Sequence, residues 1–249
     1  MLYAHKNVGR ALCVSQECEN ECEPARSTYA AFHHVSTLSC HPESRLGDGD
    51  PVVLGAKCIV TAMFCDIRGF SKIAEDFPPD ALVNLLNEHF EAMTETLFDH
   101  HGALDKCFGD EMMAVFCGME TKEADAACCV RAALAMQQRN RELNTIRRKK
   151  KQPTFGLGIG INTGVVIAGY VGSPLLREFT VVGDTVNTAR RLCSIAMPGQ
   201  ILVEEATYEM VASEVQAIAM GPVVLRGKSR TVHPYQVTGS LQEKMLICR

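Results

Sequence analysis

Apolar and polar positions along the chain fall into blocks whose period changes from one segment to the next. Residues 58–65, Cys-Ile-Val-Thr-Ala-Met-Phe-Cys, form a short and nearly continuous apolar run, the pattern of a buried strand. Pro78-Pro79 then opens a helix, because proline is tolerated in a helix's first turn. Leu82, Leu85, Leu86, Phe90, Met93 and Leu97 follow at helical spacing, and Gly102 stops the pattern. Residues 103–108 and 112–116 read as two strands joined by the tight turn Gly109-Asp110-Glu111. A second helix is predicted over 123–144, with Ala127, Val130 and Leu134 on one side. Residues 155–161 and 165–171 read as two strands flanked by glycines. The short run 179–182 reads as another strand, and Gly183-Asp184 leads into a helix ending near residue 195. The remainder alternates small strands with one helix over 204–211, up to Val237. The order β-α-β-β-α-β with a C-terminal α/β extension is the split βαβ, ferredoxin-like arrangement of an α+β protein.

Composition narrows the class without changing that reading. A chain of 249 residues fits one large domain, or one domain with extensions. Its 47% apolar and 22% charged content is ordinary for a soluble globular protein. A net charge of −4 argues against a broad nucleic-acid footprint, so no nucleic-acid partner is expected. No uninterrupted apolar run reaches the ~18 residues of a transmembrane helix. Residues 1–17 lack the features of a secretory signal, which makes a cytoplasmic protein the expectation. Of the twelve cysteines, Cys65, Cys107, Cys117, Cys128, Cys129 and Cys193 sit in apolar segments and are expected as reduced thiols rather than a disulfide framework.

Texture also divides the chain into an N-terminal extension (1–56), a folded domain (57–240) and a short tail (241–249). The extension interleaves Glu17, Glu19, Glu21 and Glu23 with Cys18 and Cys22, then adds His33, His34, Cys40 and His41. By residue type Cys18, Cys22, Cys40 and His41 suit zinc, but their spacing is loose. A poorly ordered or partner-dependent extension is the preferred reading. The basic run Arg147-Arg-Lys-Lys-Lys151 reads as a solvated loop ahead of a lipid or nucleic-acid contact.

Candidate chemistry gathers at two aspartates. Asp66 ends the first predicted strand before Ile67-Arg68-Gly69-Phe70-Ser71, and Asp110 lies in the hairpin turn. A β-α-β-β unit places that hairpin beside the first strand, so both carboxylates can meet at one sheet edge. Paired hard oxygen ligands suit Mg²⁺ or Mn²⁺, and two such ions can clamp an in-line phosphoryl displacement. Gly69 lets backbone amides turn toward a polyphosphate. The plainer alternative is that each aspartate only favours its turn. Asn187 and Arg191 stand four apart and share one helix face. An amide and a guanidinium placed there can orient a ribose and stabilise phosphate charge, the alternative being ordinary surface polarity.

Three spaced motifs, Phe64-Cys-Asp66-Ile-Arg-Gly-Phe-Ser71, Lys106-x-x-Gly-Asp110 and Gly183-Asp-Thr-Val-Asn187-x-Ala-x-Arg191-Leu192, resemble the catalytic domain of class III nucleotidyl cyclases. The resemblance runs from about Cys58 to Val237. It implies the class III cyclase fold, catalytic domains paired head to tail in a homodimer, and active sites at the interface. Asp66 and Asp110 of one subunit would hold two metal ions, with the Ile67 carbonyl as a further ligand and Gly69 and Phe70 along the nucleotide. Asn187 and Arg191 would come from the other subunit, the first orienting the ribose and the second stabilising the α-phosphate. The base-selecting positions fall at Lys106 and Thr180, which favours adenine, since guanylyl cyclases carry glutamate at the first. The triphosphate-contacting lysine of the family falls at Arg226, with Lys228 as a nearby alternative. Threonine at 180 resembles the bacterial-type, bicarbonate-responsive subgroup, so bicarbonate is an expected activator. The expected reaction is ATP to 3′,5′-cyclic AMP and pyrophosphate. A diguanylate cyclase, a guanylyl cyclase and an inactive cyclase-homology regulatory module are the alternatives.

Overall fold

The computed structural model describes residues 55–241 apart from Pro174 and Ser229. The cysteine- and histidine-bearing segment considered for zinc therefore lies outside the described residues.

The first apolar run becomes the long strand β1 (Ala56–Arg68), which carries Asp66 inside the strand rather than at its end. Two helices follow, the short α1 (Phe70–Asp76), which the periodicity does not reveal, and α2 (Pro79–Asp99). The hairpin β2 (Ala103–Phe108) and β3 (Glu111–Phe116) leads into α3 (Lys122–Lys149). Next come β4 (Gly156–Ser173), β5 (Leu176–Val182) and α4 (Asp184–Ile195). The remaining elements are β6 (Ile201–Val203), α5 (Glu205–Val211), β7 (Val215–Ala219), β8 (Val223–Val224), β9 (Thr231–Val232) and β10 (Tyr235–Ser240).

The first four strands make an antiparallel sheet in the order β2-β3-β1-β4, the ferredoxin-like order. Strand β6 joins β4 in parallel, β10 and β7 extend the sheet, and β5 pairs with the far half of β4. No helix among the described residues is long and apolar enough to cross a membrane.

β1 reads as a continuous apolar run because both of its faces are covered. Met63, Cys65 and Ile67 join the core beneath α2 and α3, while Val60, Ala62 and Phe64 join a second core with Ala189 and Cys193 of α4. The thiols of Cys65, Cys128, Cys129 and Cys193 are buried among these residues, whereas Cys107 is exposed on β2.

Two expectations are corrected. Strands 155–161 and 165–171 are one strand of 18 residues, because β1 offers it an unbroken partner from Ala56 to Arg68. The Asn-Thr-Gly that reads as a break is satisfied in place: Asn162 Nδ2 donates to the Thr185 carbonyl, and the Thr163 amide donates to Thr207 Oγ1. Nor does the basic run begin in a loop. Helix α3 extends into it as far as Lys149, and the Arg147 side chain is only 1% exposed. Its guanidinium donates to Glu88 and to the Leu85 carbonyl and lies 4.2 Å from the Phe155 ring centre.

Candidate active site

Alternation along β1 separates the residues around Asp66. Ile67 points into the core beneath α2 and α3, and Asp66 and Arg68 project on the opposite, α4-facing side. Asp66 stands opposite Glu111 of β3 and Gly158 of β4. The turn before Glu111, with Gly109 at φ 63°, sets Asp110 beside it. Partial burial and then the Asp66 charge push the Asp110 carboxyl above its ordinary value.

Arg68 holds this end together. Its Nη2 lies 2.9 Å from Asp66 Oδ2 and donates to the Cys193 carbonyl at 2.8 Å. That placement uses the missing side chain of Gly158, where a Cβ would come within 2.3 Å of Arg68 Nε. The alternating sequence Gly156-Leu-Gly-Ile-Gly160 thus has a purpose in packing. Leu157 and Ile159 fill one core, and the glycines let Arg68 and α4 sit directly on the strand backbone.

Two adjacent carboxylates are a suitable donor set for a hard divalent cation. Among the described residues no group of three His, Cys, Asp or Glu side chains converges. A cation here would therefore draw further oxygens from backbone, such as the Ile67 carbonyl, and from a bound ligand.

A second cluster joins β2 to β5. Thr180 Oγ1 donates to Asp105 Oδ2 at 2.9 Å. Lys106 Nζ lies 3.5 Å from the same oxygen and 3.2 Å from Glu178 Oε2. β3, β1 and β4 separate these strands along the sheet, so the sheet curls to bring them together. Lys106 and Thr180 thus meet at Asp105, an aspartate that the sequence motifs do not single out.

The third group lies on α4. Asn187 is exposed and Arg191 half-buried, and among the described residues neither side chain bonds to Asp66 or Asp110. The adjacent Arg190 does reach the hairpin, pairing with Glu111 at 2.8 Å. The loop after β8 closes over the other side of the helix. Gly227, at φ 72°, leaves room for Arg191, whose Nη2 would lie 3.2 Å from a Cβ there. Lys228 Nζ donates to Asp184 at 2.9 Å and to Thr188. Arg226 is exposed and makes no such bond among the described residues, so the structure favours Lys228 as the cation tied to this helix.

Gly69 adopts the left-handed conformation at φ 72° as it caps α1. Phe70 turns inward, packing edge-on to Phe155 with ring centres 6.3 Å apart and joining the core. Its side chain is accordingly spent on packing. A depression of about 350 Å³ beside Gly69 is lined by Arg68, Lys72, Ile73, Asp76, Phe77 and Pro153.

Comparison with known proteins identifies the family. The sequence model of the adenylate and guanylate cyclase catalytic domain matches residues 54–239, and the chain belongs to that family. It is 32% identical over 184 residues to adenylate cyclase 1 of Rhizobium meliloti, covering 72% of this chain and 27% of that protein. The crystal structure of the adenylyl cyclase CyaB from P. aeruginosa superposes with a TM-score of 0.72 at 30% identity, over 74% of this chain and 95% of that one. The guanylyl cyclase Cya2 superposes with a TM-score of 0.70, also at 30% identity, over 75% of this chain and 94% of that one. The expected α+β class III cyclase fold therefore holds. The chain spans well under half the length of the curated relatives it matches.

Proposed function

We propose that this chain is an adenylate cyclase that converts ATP to 3′,5′-cyclic AMP and pyrophosphate at sites shared by two copies paired head to tail. The observation that carries the choice of base is the meeting of Lys106 and Thr180 at one carboxylate. An ammonium only donates, whereas a hydroxyl that has given its proton away accepts. Adenine presents the complementary edge, a ring nitrogen that accepts and an amino group that donates.

The other residues act on the sugar and phosphates. Asn187 orients the ribose, and Arg191 donates to the α-phosphate oxygens as their charge grows. Lys228 or Arg226 lies along the triphosphate, with the Gly69 and Phe70 backbone on its other side. Two Mg²⁺ or Mn²⁺ ions held by Asp66, Asp110 and the Ile67 carbonyl would acidify the 3′-hydroxyl and neutralise phosphate charge when bound. Attack by the 3′-oxygen forms the new P–O bond in line with departing pyrophosphate, so orientation and electrostatics supply most of the catalysis. Among the described residues neither Asn187 nor Arg191 bonds to Asp66 or Asp110, which fits a site completed by a second copy.

Chromatography of products after incubating the chain with ATP and Mn²⁺ or Mg²⁺ tests the reading. Cyclic AMP with pyrophosphate is expected. Intact ATP at high protein concentration would instead point to an inactive regulatory module, and cyclic GMP formed preferentially from GTP to a guanylyl cyclase. Thr180 further supports stimulation by bicarbonate; an unchanged rate on adding it at fixed pH would refute that part.

A further inference from the structure

Asp105 has no role in the site as described so far, yet it is the most completely enclosed charged side chain there. It is 1% exposed, against 22% for Lys106. Burial is the main influence on its carboxyl and pushes it above the ordinary value, while the bonds to Thr180 and Lys106 pull it back. Oδ2 serves Thr180 and Lys106, and Oδ1 is buried without a hydrogen-bond partner. Burying a carboxylate is unfavourable, and an unpartnered oxygen adds to the cost. A strand that only needed to fold would do better with valine in this place.

We propose that Asp105 is a positioning residue that sets the polarity of the base-selecting pair. Thr180 has one hydroxyl proton, and the 2.9 Å bond commits it to Asp105. The oxygen's lone pairs are then what a bound base meets. The same carboxylate draws the Lys106 ammonium toward Thr180, against the pull of Glu178 on its other side. The pair thereby presents one acceptor and one donor in fixed order. Adenine satisfies both. Guanine presents a carbonyl where an amino group is needed and an N–H where an acceptor is needed, so both contacts fail. Without Asp105 the hydroxyl rotates freely and can donate to guanine's carbonyl. Asp105 thus acts through Thr180 and Lys106 without touching the base.

This inference rests on the adenine reading of the site, and binding separates the two. The probes are 3′-deoxy-ATP and 3′-deoxy-GTP, which lack the attacking hydroxyl, titrated calorimetrically with Mn²⁺ into the wild-type chain and its variants. Asp105→Val removes the acceptor but suits a buried strand. Asp105→Asn keeps an acceptor oxygen in the same shape. Wild type should prefer the adenine probe. Asp105→Val should lose that preference by about tenfold or more, the scale expected when a buried polar partner is removed, and Asp105→Asn should retain most of it. In a Thr180→Val background, Asp105→Val should change the ratio much less, because its effect passes through that hydroxyl.

Equal weakening of both probes by Asp105→Val, with the ratio unchanged, would overturn the proposal, because a purely structural role moves both alike. Absence of adenine preference in the wild type would also overturn it. Selective binding with the expected variant ratios but no cyclic AMP from ATP would uphold Asp105's role while refuting the cyclase activity.

Discussion

Replacing Gly160 with alanine tests whether α4 owes its placement, and with it the aim of Asn187 and Arg191, to direct contact with the β4 backbone. A Cβ at Gly160 would lie 2.1 Å from the Cys193 nitrogen, 2.3 Å from the Ala189 carbonyl oxygen and 2.7 Å from Cys193 Cα. Carbon settles at about 3.5–4.0 Å from non-bonded neighbours, so the helix must move away by more than about 1 Å. The obstructing atoms are all backbone, and no side-chain rotation relieves them. The buried face of α4, from Thr185 and Thr188 through Ala189, Leu192 and Cys193, makes the helix shift as a body. Such overpacking costs about 1–3 kcal/mol. At this domain size that lowers the melting temperature by about 2–12 °C.

The effect on catalysis should exceed the effect on folding. Asn187 and Arg191 flank Ala189 on the displaced helix, and a misplacement of about 1 Å in a positioned group can cost about 10²-fold in rate. Gly156→Ala is the control, because its Cβ meets Pro198, most closely the ring's Cβ at 2.8 Å, in the loop beyond α4. Cyclic AMP formation at saturating ATP should fall by about 10²-fold in Gly160→Ala relative to Gly156→Ala. Both proteins should remain folded by circular dichroism at the assay temperature. A Gly160→Ala rate equal to that of the control would refute the idea that helix position, set at this glycine, governs the site.

Two further predictions follow from the same geometry. Asp66→Ala and Arg191→Ala should each be inactive, yet mixing them should restore about a quarter of wild-type activity, since half the randomly formed dimers carry one intact site of two; no recovery despite demonstrated subunit exchange would refute the shared site. His89, buried against Phe155 and beside Arg147, has its pKa lowered from 6.5 to about 3, chiefly by burial and then by the Arg147 charge. The unfolded chain takes up that proton first as pH falls, so the stabilisation is fully present above pH 6.5 and is lost toward pH 3, amounting to about 2 kcal/mol by pH 5. Urea unfolding from pH 7 to 5 should show this slope in wild type and a shallower one in His89→Phe; identical slopes would refute it.

The parts of the site readable from the sequence share a property: their chemistry is written within a few residues. Asp66 next to Gly69, Asp110 in a hairpin turn, and Asn187 with Arg191 on one helix face can all be placed by local periodicity. What escaped depends on contacts across the sheet. Asp105 is an unremarkable acid in β2 until β5 brings Thr180 to it from 75 positions away. Arg68 reads as part of a turn, but the empty face of Gly158 admits it between Asp66 and α4. Arg147 misleads because a run of like charges normally marks a solvated surface. Here the helix continues, and its geometry turns one member of the run inward onto Phe155. The alternating glycines of β4 are a legible signal of close packing. A strand with side chains on one face and none on the other must have a neighbour pressed closely against its bare side. At Gly160 that neighbour is the α4 backbone, so the glycine pattern also sets how closely Asn187 and Arg191 are held to the sheet.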